Sequence, residues 1–245
     1  GIIHNYARNY LNVNVGNLGH KGSYDAKKHY LQWGLNSEFI RIQDKLNEWE
    51  RRDSAGFSQP YSDSILLMSK VYKSSQDFSY TRLSGYVQDN IAFDSLNLVV
   101  TGGVRFNYNL LNKEFLVSPR LQLSWKPNWK GKDVIFRAAT GLYHQPPFYR
   151  EMRDLNGNVN FDVKAQKSFH AVGGMDVNFK AFQNRPFKFT TEFYYKNMWD
   201  LVPYEYDNVR LRYFGKNNAK GYAYGAEFRL YGDLVKDAES WISLG

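Results

Sequence analysis

The chain has 245 residues, of which 43% are apolar and 17% aromatic, and it contains no cysteine, which excludes a disulfide framework, a zinc knuckle and a thiol nucleophile. Its mean hydropathy is −0.58, and no window approaches the roughly 18 consecutive apolar residues of a membrane helix, which excludes a plain helical membrane protein. The net charge of +8 comes from Lys and Arg residues spread along the chain without a nucleic-acid-binding motif, so we expect no nucleic-acid partner.

Alternating apolar and polar residues, separated by breakers, recur along the chain and predict an all-β fold. No helix is predicted among them. Ten strands are predicted near residues 8–16, 29–43, 78–93, 96–109, 117–127, 133–143, 165–182, 187–201, 209–231 and 240–245.

The connections between these strands alternate in length, as in an up-and-down meander. Short turns are predicted at Asp94-Ser95, 128–132, 183–186 and 233–239, and long loops at 44–77 and 144–164. Outer-membrane barrels have short periplasmic turns and longer extracellular loops. Two connections fit this pattern less well, because 17–28 is long for a turn and 110–116 is short for a loop.

The strand at 133–143 has two unlike faces. Val134, Phe136 and Ala138 share one parity, whereas Arg137 and Tyr143 share the other. Strands of about 9 to 11 residues can cross a bilayer when they are tilted, and aromatic residues recur near the strand ends, as in the girdles of membrane barrels. A soluble sandwich with a dry core also alternates in this way, so alternation alone leaves both interpretations open.

Polar residues of the same parity are expected to share one compartment. In the strand at 209–231 the apolar parity switches, which predicts a β-bulge within 215–221.

His170 is predicted to be a polar residue facing the lumen rather than a metal ligand. A lumen charge network is predicted from Arg105, Arg120, Arg137, Glu192, Glu227 and Arg229.

Four segments, taken in their order along the chain, resemble the barrel of a TonB-dependent outer-membrane receptor. They are Val117-Ser-Pro-Arg120, Ala139-Thr-Gly-Leu-Tyr-His-Gln-Pro-Pro147, Tyr194-Tyr-Lys-Asn-Met-Trp-Asp-Leu201 and Asn217-Asn-Ala-Lys-Gly-Tyr-Ala-Tyr-Gly-Ala-Glu227. Each segment alone is a weak signal. The resemblance covers roughly residues 29–245, and the order of the four segments favours the membrane barrel over the sandwich.

The resemblance implies an antiparallel up-and-down transmembrane β-barrel of about 22 strands, closed by an N-terminal plug. We therefore expect residues 1–245 to form a single partial barrel domain, about ten strands of a larger barrel, with the plug absent. A complete ten-stranded barrel is the structural alternative, because bacterial barrels of even strand number begin at about eight.

The resemblance further implies a non-enzymatic receptor in the cell outer membrane of a Gram-negative bacterium. Such a receptor binds a nutrient ligand at the cell surface and imports it. Its implied partners are outer-membrane lipid, the TonB energy-transducing complex acting through the missing plug, and an unknown nutrient ligand. A surface lipoprotein is a further partner that the resemblance allows, and no cofactor or metal is expected. The alternative function is a small outer-membrane barrel with a binding or structural role and no active transport.

The candidate ligand-binding residues lie in the two long predicted loops, where aromatic rings are mixed with cations. Such a set could stack on a sugar ring or an aromatic chelator, or hold an anion. The loop at 44–77 supplies Trp49, Arg51, Arg52 and Tyr61. The loop at 144–164 supplies His144, Phe148, Tyr149, Arg150 and Arg153, with Pro146-Pro147 stiffening its entry. No catalytic constellation is present in the sequence.

Overall fold

The computed structural model describes residues 1–207, 210–235 and 238–245, and it is built from strands. Two short 3₁₀ helices occur, at Asp94–Leu96 and Tyr149–Met152. Within the described ranges, no helix is long and apolar enough to cross a membrane. The strands are β1 (Ile2–Ala7), β2 (Tyr10–Ala26), β3 (His29–Ser54), β4 (Phe57–Gln59), β5 (Lys70–Phe93), β6 (Leu98–Asn109), β7 (Glu114–Trp125), β8 (Asp133–Gln145), β9 (Gln166–Ala181), β10 (Arg185–Leu201), β11 (Tyr204–Asp207), β12 (Arg210–Tyr213), β13 (Ala219–Val235) and β14 (Ala238–Leu244).

Twelve of these strands form one antiparallel sheet. Its order is β1-β3-β5-β6-β7-β8-β9-β10-β13-β14, with β2 and β4 also pairing with β3. Consecutive long strands are neighbours throughout, as an up-and-down meander requires. The sheet is open, with β1 and β2 along one edge and β14 at the other. The predicted all-β, antiparallel up-and-down architecture is confirmed.

Two predicted connections are wrong because the strands continue through them. The stretch 17–28 is not a long connection, since β2 pairs with β3 as far as Ala26↔His29 and leaves a turn of only two residues. The loop at 44–77 is also shorter, since β3 and β5 stay paired up to Glu50↔Lys70. Between Asp44 and Glu48, at the loop end of β3, polar residues occur at both parities, so alternation ends there although backbone pairing does not.

The predicted bulge within 215–221 is wrong as well. Residues 210–213 form β12, which pairs with β11 in a separate two-stranded sheet, and β13 begins only at Ala219. The parity switch therefore arises because two different strands lie on either side of an irregular segment. The predicted strand start at residue 209 lies outside the described residues.

The two faces of the sheet differ as the sequence predicts. On β3, the exposed Leu35 and Phe39 lie on the outer face, whereas Ile40 and Ile42 are buried on the inner, concave face. The continuous cross-strand register carries this parity around the sheet, so the apolar parity of β6, β8 and β10 faces outward. This places the charged parity, including His170, on the concave face.

The segment 146–165, which joins β8 to β9, folds back over the concave face. Its Tyr149, Met152 and Val163 pack with Ile40 and Ile42 of β3 in one buried apolar cluster. Burying a side chain of this size contributes about 1.5–3 kcal/mol. The loop is therefore fixed against the wall opposite the strands from which it emerges.

Candidate functional site

A buried polar anchor fixes the loop 146–165 to β3. Asp44 is only 4% exposed, and its carboxylate accepts a hydrogen bond of 2.7 Å from the Tyr149 hydroxyl. Arg153 donates to the same carboxylate oxygen, and its guanidinium lies 5.2 Å from the centroid of the Tyr149 ring. The Asp44 carboxylate of β3 thus binds two side chains of the loop, Tyr149 and Arg153.

The chemistry of this anchor follows from its burial. Burial, reinforced by the Asp44 carboxylate, raises the pKa of Tyr149 to about 12, against the opposing effect of Arg153. Burial lowers the pKa of Arg153, but the hydrogen bonds to Tyr149 and Asp44 outweigh it and raise the pKa overall. At neutral pH the anchor therefore consists of a neutral phenol and a cation around one carboxylate.

An aromatic cluster, consisting of Phe148, Tyr204, Tyr206 and Tyr213, lies at the loop end of the sheet. The rings of Tyr204 and Tyr206 are 5.6 Å apart, those of Tyr204 and Tyr213 are 5.9 Å apart, and those of Phe148 and Tyr213 are 6.2 Å apart, all in edge-to-face arrangements. Tyr206 is 73% exposed, and the exposed Arg150 lies within the same loop as Phe148. The cluster therefore exposes aromatic ring surface to solvent.

The hairpin that carries three of these rings is tied to the wall by charge. Glu48 of β3 accepts from Arg210 at 2.9 Å and from Arg212 at 3.1 Å. The Arg212 guanidinium also lies 4.8 Å from the centroid of the Tyr72 ring. These residues line a cavity of about 420 Å³ between the hairpin, the loop and β3. The aromatic cluster therefore rests on two elements that are both fixed to β3.

The structure divides the predicted site residues into separate places. Phe148, Tyr149, Arg150 and Arg153 lie together on the loop 146–165. Tyr149 and Arg153 are taken up by the anchor, which leaves Phe148 and Arg150 exposed to solvent. Among the predicted residues of this loop, these two are the ones free to contact a ligand.

The predicted residues before β4 do not join that group. Trp49, Arg51 and Arg52 lie on β3 rather than in a loop, which corrects the predicted boundary. Trp49 has the outward parity and stacks on Tyr6 of β1 with centroids 5.5 Å apart, and Arg51 pairs with Asp53 at 3.0 Å.

Tyr61 is the predicted residue of this segment that lies in a loop. It is 59% exposed and packs edge-to-face against Phe57 with ring centroids 5.5 Å apart. It lies apart from the aromatic cluster. The structure thus does not bring the two predicted loops together into one site.

His144 also differs from its predicted position. It lies within β8, one residue before the strand ends at Gln145, rather than in the following loop. Its Nδ1 lies 2.8 Å from Oγ of Ser118, a residue of β7 that is 1% exposed. His144 therefore belongs to the concave wall below the loop.

Sequence reasoning missed Tyr204, Tyr206 and Tyr213. The signal was present, because Tyr204-Glu-Tyr-Asp207 and Arg210-Leu-Arg-Tyr213 are two short alternating runs of the kind that form a hairpin. In the described part of the chain, no group of three or more His, Asp or Glu side chains is arranged to hold a metal ion.

Comparison with known proteins identifies the scaffold. The family model "TonB dependent receptor-like, beta-barrel" matches residues 3–245. No curated protein sequence matches the chain. Solved structures with the same fold include a copper transporter, OprC, with a TM-score of 0.63 and 13% identity over 95% of this chain and 38% of that one.

Two further structures are similar. The outer membrane transporter YddB from Escherichia coli has a TM-score of 0.56 and 14% identity over 91% of this chain and 31% of its own. The RagAB peptide transporter has a TM-score of 0.53 and 15% identity over 96% of this chain and 29% of its own. The present chain thus spans about a third of each of these proteins, and at such identities the likeness concerns the fold.

Proposed function

We infer that this chain, which belongs to the TonB-dependent receptor β-barrel family, forms wall and cell-surface loops of an outer-membrane receptor that binds a nutrient ligand and imports it. Family and fold both place the chain in the outer membrane. The family is one of receptors and transporters rather than enzymes. Binding energy, not covalent chemistry, would select the ligand.

The aromatic cluster is the observation that carries this proposal. The three longest connections, which follow β3, β8 and β10, all lie at one end of the sheet, together with the short connection 110–113. In outer-membrane barrels the longer connections face the cell exterior. The cluster lies at that end, on elements fixed to β3 by the Asp44 and Glu48 contacts. Because its rings are already held in place, a ligand that stacks on them, such as a sugar ring or an aromatic chelator, would order few side chains on binding.

Import needs parts beyond the wall. We expect a plug that closes the lumen and an energy-transducing TonB complex that displaces it. A surface lipoprotein is a further partner to test, because the resemblance to TonB-dependent receptors allows one. We expect no nucleic-acid partner and no cofactor.

The test uses the whole natural protein that contains this chain, produced in an outer membrane from which the host's own receptors have been deleted. Uptake of labelled ferric chelates, cobalamin, oligosaccharides and peptides is measured with and without the host TonB complex. The proposal expects one class to accumulate only when TonB is present. Equal accumulation without TonB, or binding with no accumulation of any class, would contradict import, and the second result would support a binding barrel.

A matched pair of variants tests the role of the cluster. The double variant Tyr204→Ala/Tyr206→Ala is expected to lower uptake about fivefold, because ring contacts of this kind contribute about 1 kcal/mol. The control is Tyr222→Ala/Tyr224→Ala, which removes two exposed, stacked tyrosines from the outer face of β13. With equal amounts of protein at the surface, the control is expected to retain wild-type uptake. Equal loss in both variants would remove the cluster from the binding site.

A further inference from the structure

A second cavity lies on the concave face, and its charge is unbalanced. It has a volume of about 540 Å³ and is lined by residues of seven strands, from β3 to β10. Four cationic side chains line it, namely Arg82, Arg105, Arg120 and Lys167, against the single carboxylate of Glu38. Its size is within the range of about 300–1,000 Å³ of small-molecule sites.

Two of the four cations are already neutralised. Arg82 pairs with Glu38 at 3.5 Å, and Lys167 pairs with Asp200 at 2.9 Å. Arg105 and Arg120, in contrast, have no carboxylate partner within the ranges that the structure describes. The cavity therefore retains two uncompensated guanidinium groups.

The sheet register holds these two arginines close together. Arg105 of β6 lies opposite Ser118 of β7, and Gly103 lies opposite Arg120, so the two arginines are diagonal neighbours on the same face. Diagonal neighbours across an antiparallel pair are about 7–8 Å apart. Both side chains face the same cavity, so their like charges repel each other, and an anion bound by both would offset that repulsion.

The surrounding side chains are fixed in place without an anion. The Arg120 guanidinium lies 4.3 Å from the centroid of the Tyr143 ring, and Tyr143 stacks on His170 at 4.3 Å. His170 Nε2 in turn lies 2.9 Å from Ser168 Oγ. This stack orients the donors of Arg120 before any ligand arrives, so little entropy is lost on binding.

We propose that this cavity binds a small organic polyanion through Arg105 and Arg120, with carboxylate or phosphate oxygens between the two guanidinium groups. Arginine forks match the geometry of both kinds of oxyanion. The inference deepens the proposed function, on which it rests, by assigning a charged ligand to a site in the lumen wall below the aromatic cluster. We commit to a small anion because the stacked Arg120 fork presents its donors to a compact oxyanion, and an acidic protein segment is the competing occupant that the peptide probe tests.

Binding is measured by isothermal titration calorimetry on the whole natural protein purified in a neutral detergent at low salt. The probes are tricarballylate, which carries three carboxylates, its neutral trimethyl ester, inorganic phosphate and a hexaglutamate peptide. Tricarballylate or phosphate is expected to bind and the ester is not, and the stronger of the two identifies the preferred oxyanion. If neither small anion binds, or if only hexaglutamate does, the proposal is overturned.

The variants locate the site. Arg105→Gln/Arg120→Gln is expected to weaken binding of the better small anion at least about tenfold, whereas Arg105→Lys/Arg120→Lys retains the charge and is expected to lose less. The control is Lys180→Gln, which removes one charge from the concave face outside this cavity and is expected to bind as wild type. Equal binding by the Gln double variant and the wild type would refute the assignment.

These experiments distinguish a failure of the anion site from a failure of the proposed import. Calorimetric binding without TonB-dependent uptake would retain the anion site and contradict import. Uptake of an uncharged cargo with no calorimetric binding of either anion would retain import and contradict the anion site.

Discussion

At the scale of single residues, Asp44 fixes the loop 146–165 to β3. It is 4% exposed and contacts both Tyr149 and Arg153. Without the carboxylate, the guanidinium of Arg153, whose side chain is 19% exposed, would remain in the wall without a counter-charge. Leaving a buried charge unpaired costs about 3–5 kcal/mol, which the loop could avoid by opening.

We therefore expect Asp44→Asn to loosen the loop 146–165. Trypsin cleavage within this loop should be at least about tenfold faster than in the wild type, because opening relieves the unpaired charge. Asp77→Asn serves as the control, since Asp77 pairs with Arg41 at 3.3 Å on the exposed surface, where such pairs contribute little. Equal cleavage rates in the wild type and Asp44→Asn would show that the carboxylate does not hold the loop.

The phenol of the same anchor gives a pH dependence. Burial raises the pKa of Tyr149 to about 12 from its ordinary value of 10, so the folded loop favours the protonated phenol. Its contribution to stability is complete below pH 10 and is lost as the pH rises from about 10 to about 12. Ionised Tyr149 would no longer donate to Asp44 and would add a second negative charge beside it.

A nitroxide attached through Asn156→Cys, in the exposed part of the loop, reports this transition by electron paramagnetic resonance. We expect the label to become more mobile between about pH 10 and pH 12. In a Tyr149→Phe background the mobility should change little over that interval, because no phenol titrates there. A step of equal size in both backgrounds would assign the change to another group.

At the scale of elements, the sequence predicts the central strands well and their ends poorly. The strand predicted at 133–143 is observed at Asp133–Gln145, because its membrane-crossing part separates apolar from polar residues cleanly. The upper part of β3 near Glu48 lacks that contrast, since it lies among charges on both faces. The hairpin of β11 and β12 was missed for another reason, because its alternating runs of four residues each are too short to stand out beside the long strands.

The candidate site was predictable only in part for a related reason. Phe148 and Arg150 could be named from the sequence because a long aromatic loop follows a strand. Tyr149 and Arg153 could not be separated from them, because their use as an anchor depends on Asp44, more than a hundred residues away. The lumen charges predicted as one network form two groups: Arg105 and Arg120 line one cavity, while Arg137, Glu192, Glu227 and Arg229 line another.

Packing between strands on the outer face gives a further prediction. A Cβ atom added to Gly85 of β5 would lie 2.4 Å from the Phe106 ring and 2.8 Å from Leu35, whereas one added to Gly102 of β6 would meet nothing within 4 Å. Gly85→Val is therefore expected to destabilise the barrel by about 1–3 kcal/mol through overpacking.

The matched variant Gly102→Val places the same side chain on the same face and is expected to behave as wild type. The measurement is the temperature at which the natural protein loses its folded mobility in sodium dodecyl sulfate gels. Gly85→Val should lower this temperature, and Gly102→Val should not. If both variants lose their folded mobility at the same temperature as the wild type, the close approach of Phe106 to Gly85 does not limit the size of the side chain at residue 85.

At the scale of the whole molecule, the parts fit one arrangement. An apolar outer face suits lipid, a charged concave face suits a solvated lumen, and the fixed loops lie at one end of the wall. Each of the twelve strands of the sheet is hydrogen-bonded to at least one neighbour, and a membrane-spanning sheet requires such pairing because lipid offers no hydrogen bonds. From this arrangement we expect the aromatic cluster to face the cell exterior and the short turns to face the periplasm.

The most direct test of this arrangement is cysteine labelling in intact cells, to which this chain contributes no background because it has no cysteine. Single variants Tyr206→Cys, at the loop end, and Asn184→Cys, in the turn between β9 and β10, are treated with a membrane-impermeant maleimide. We expect Tyr206→Cys to be labelled in intact cells and Asn184→Cys only after the outer membrane is permeabilised. Labelling of Asn184→Cys in intact cells, with Tyr206→Cys protected, would reverse the orientation and contradict a cell-surface ligand site.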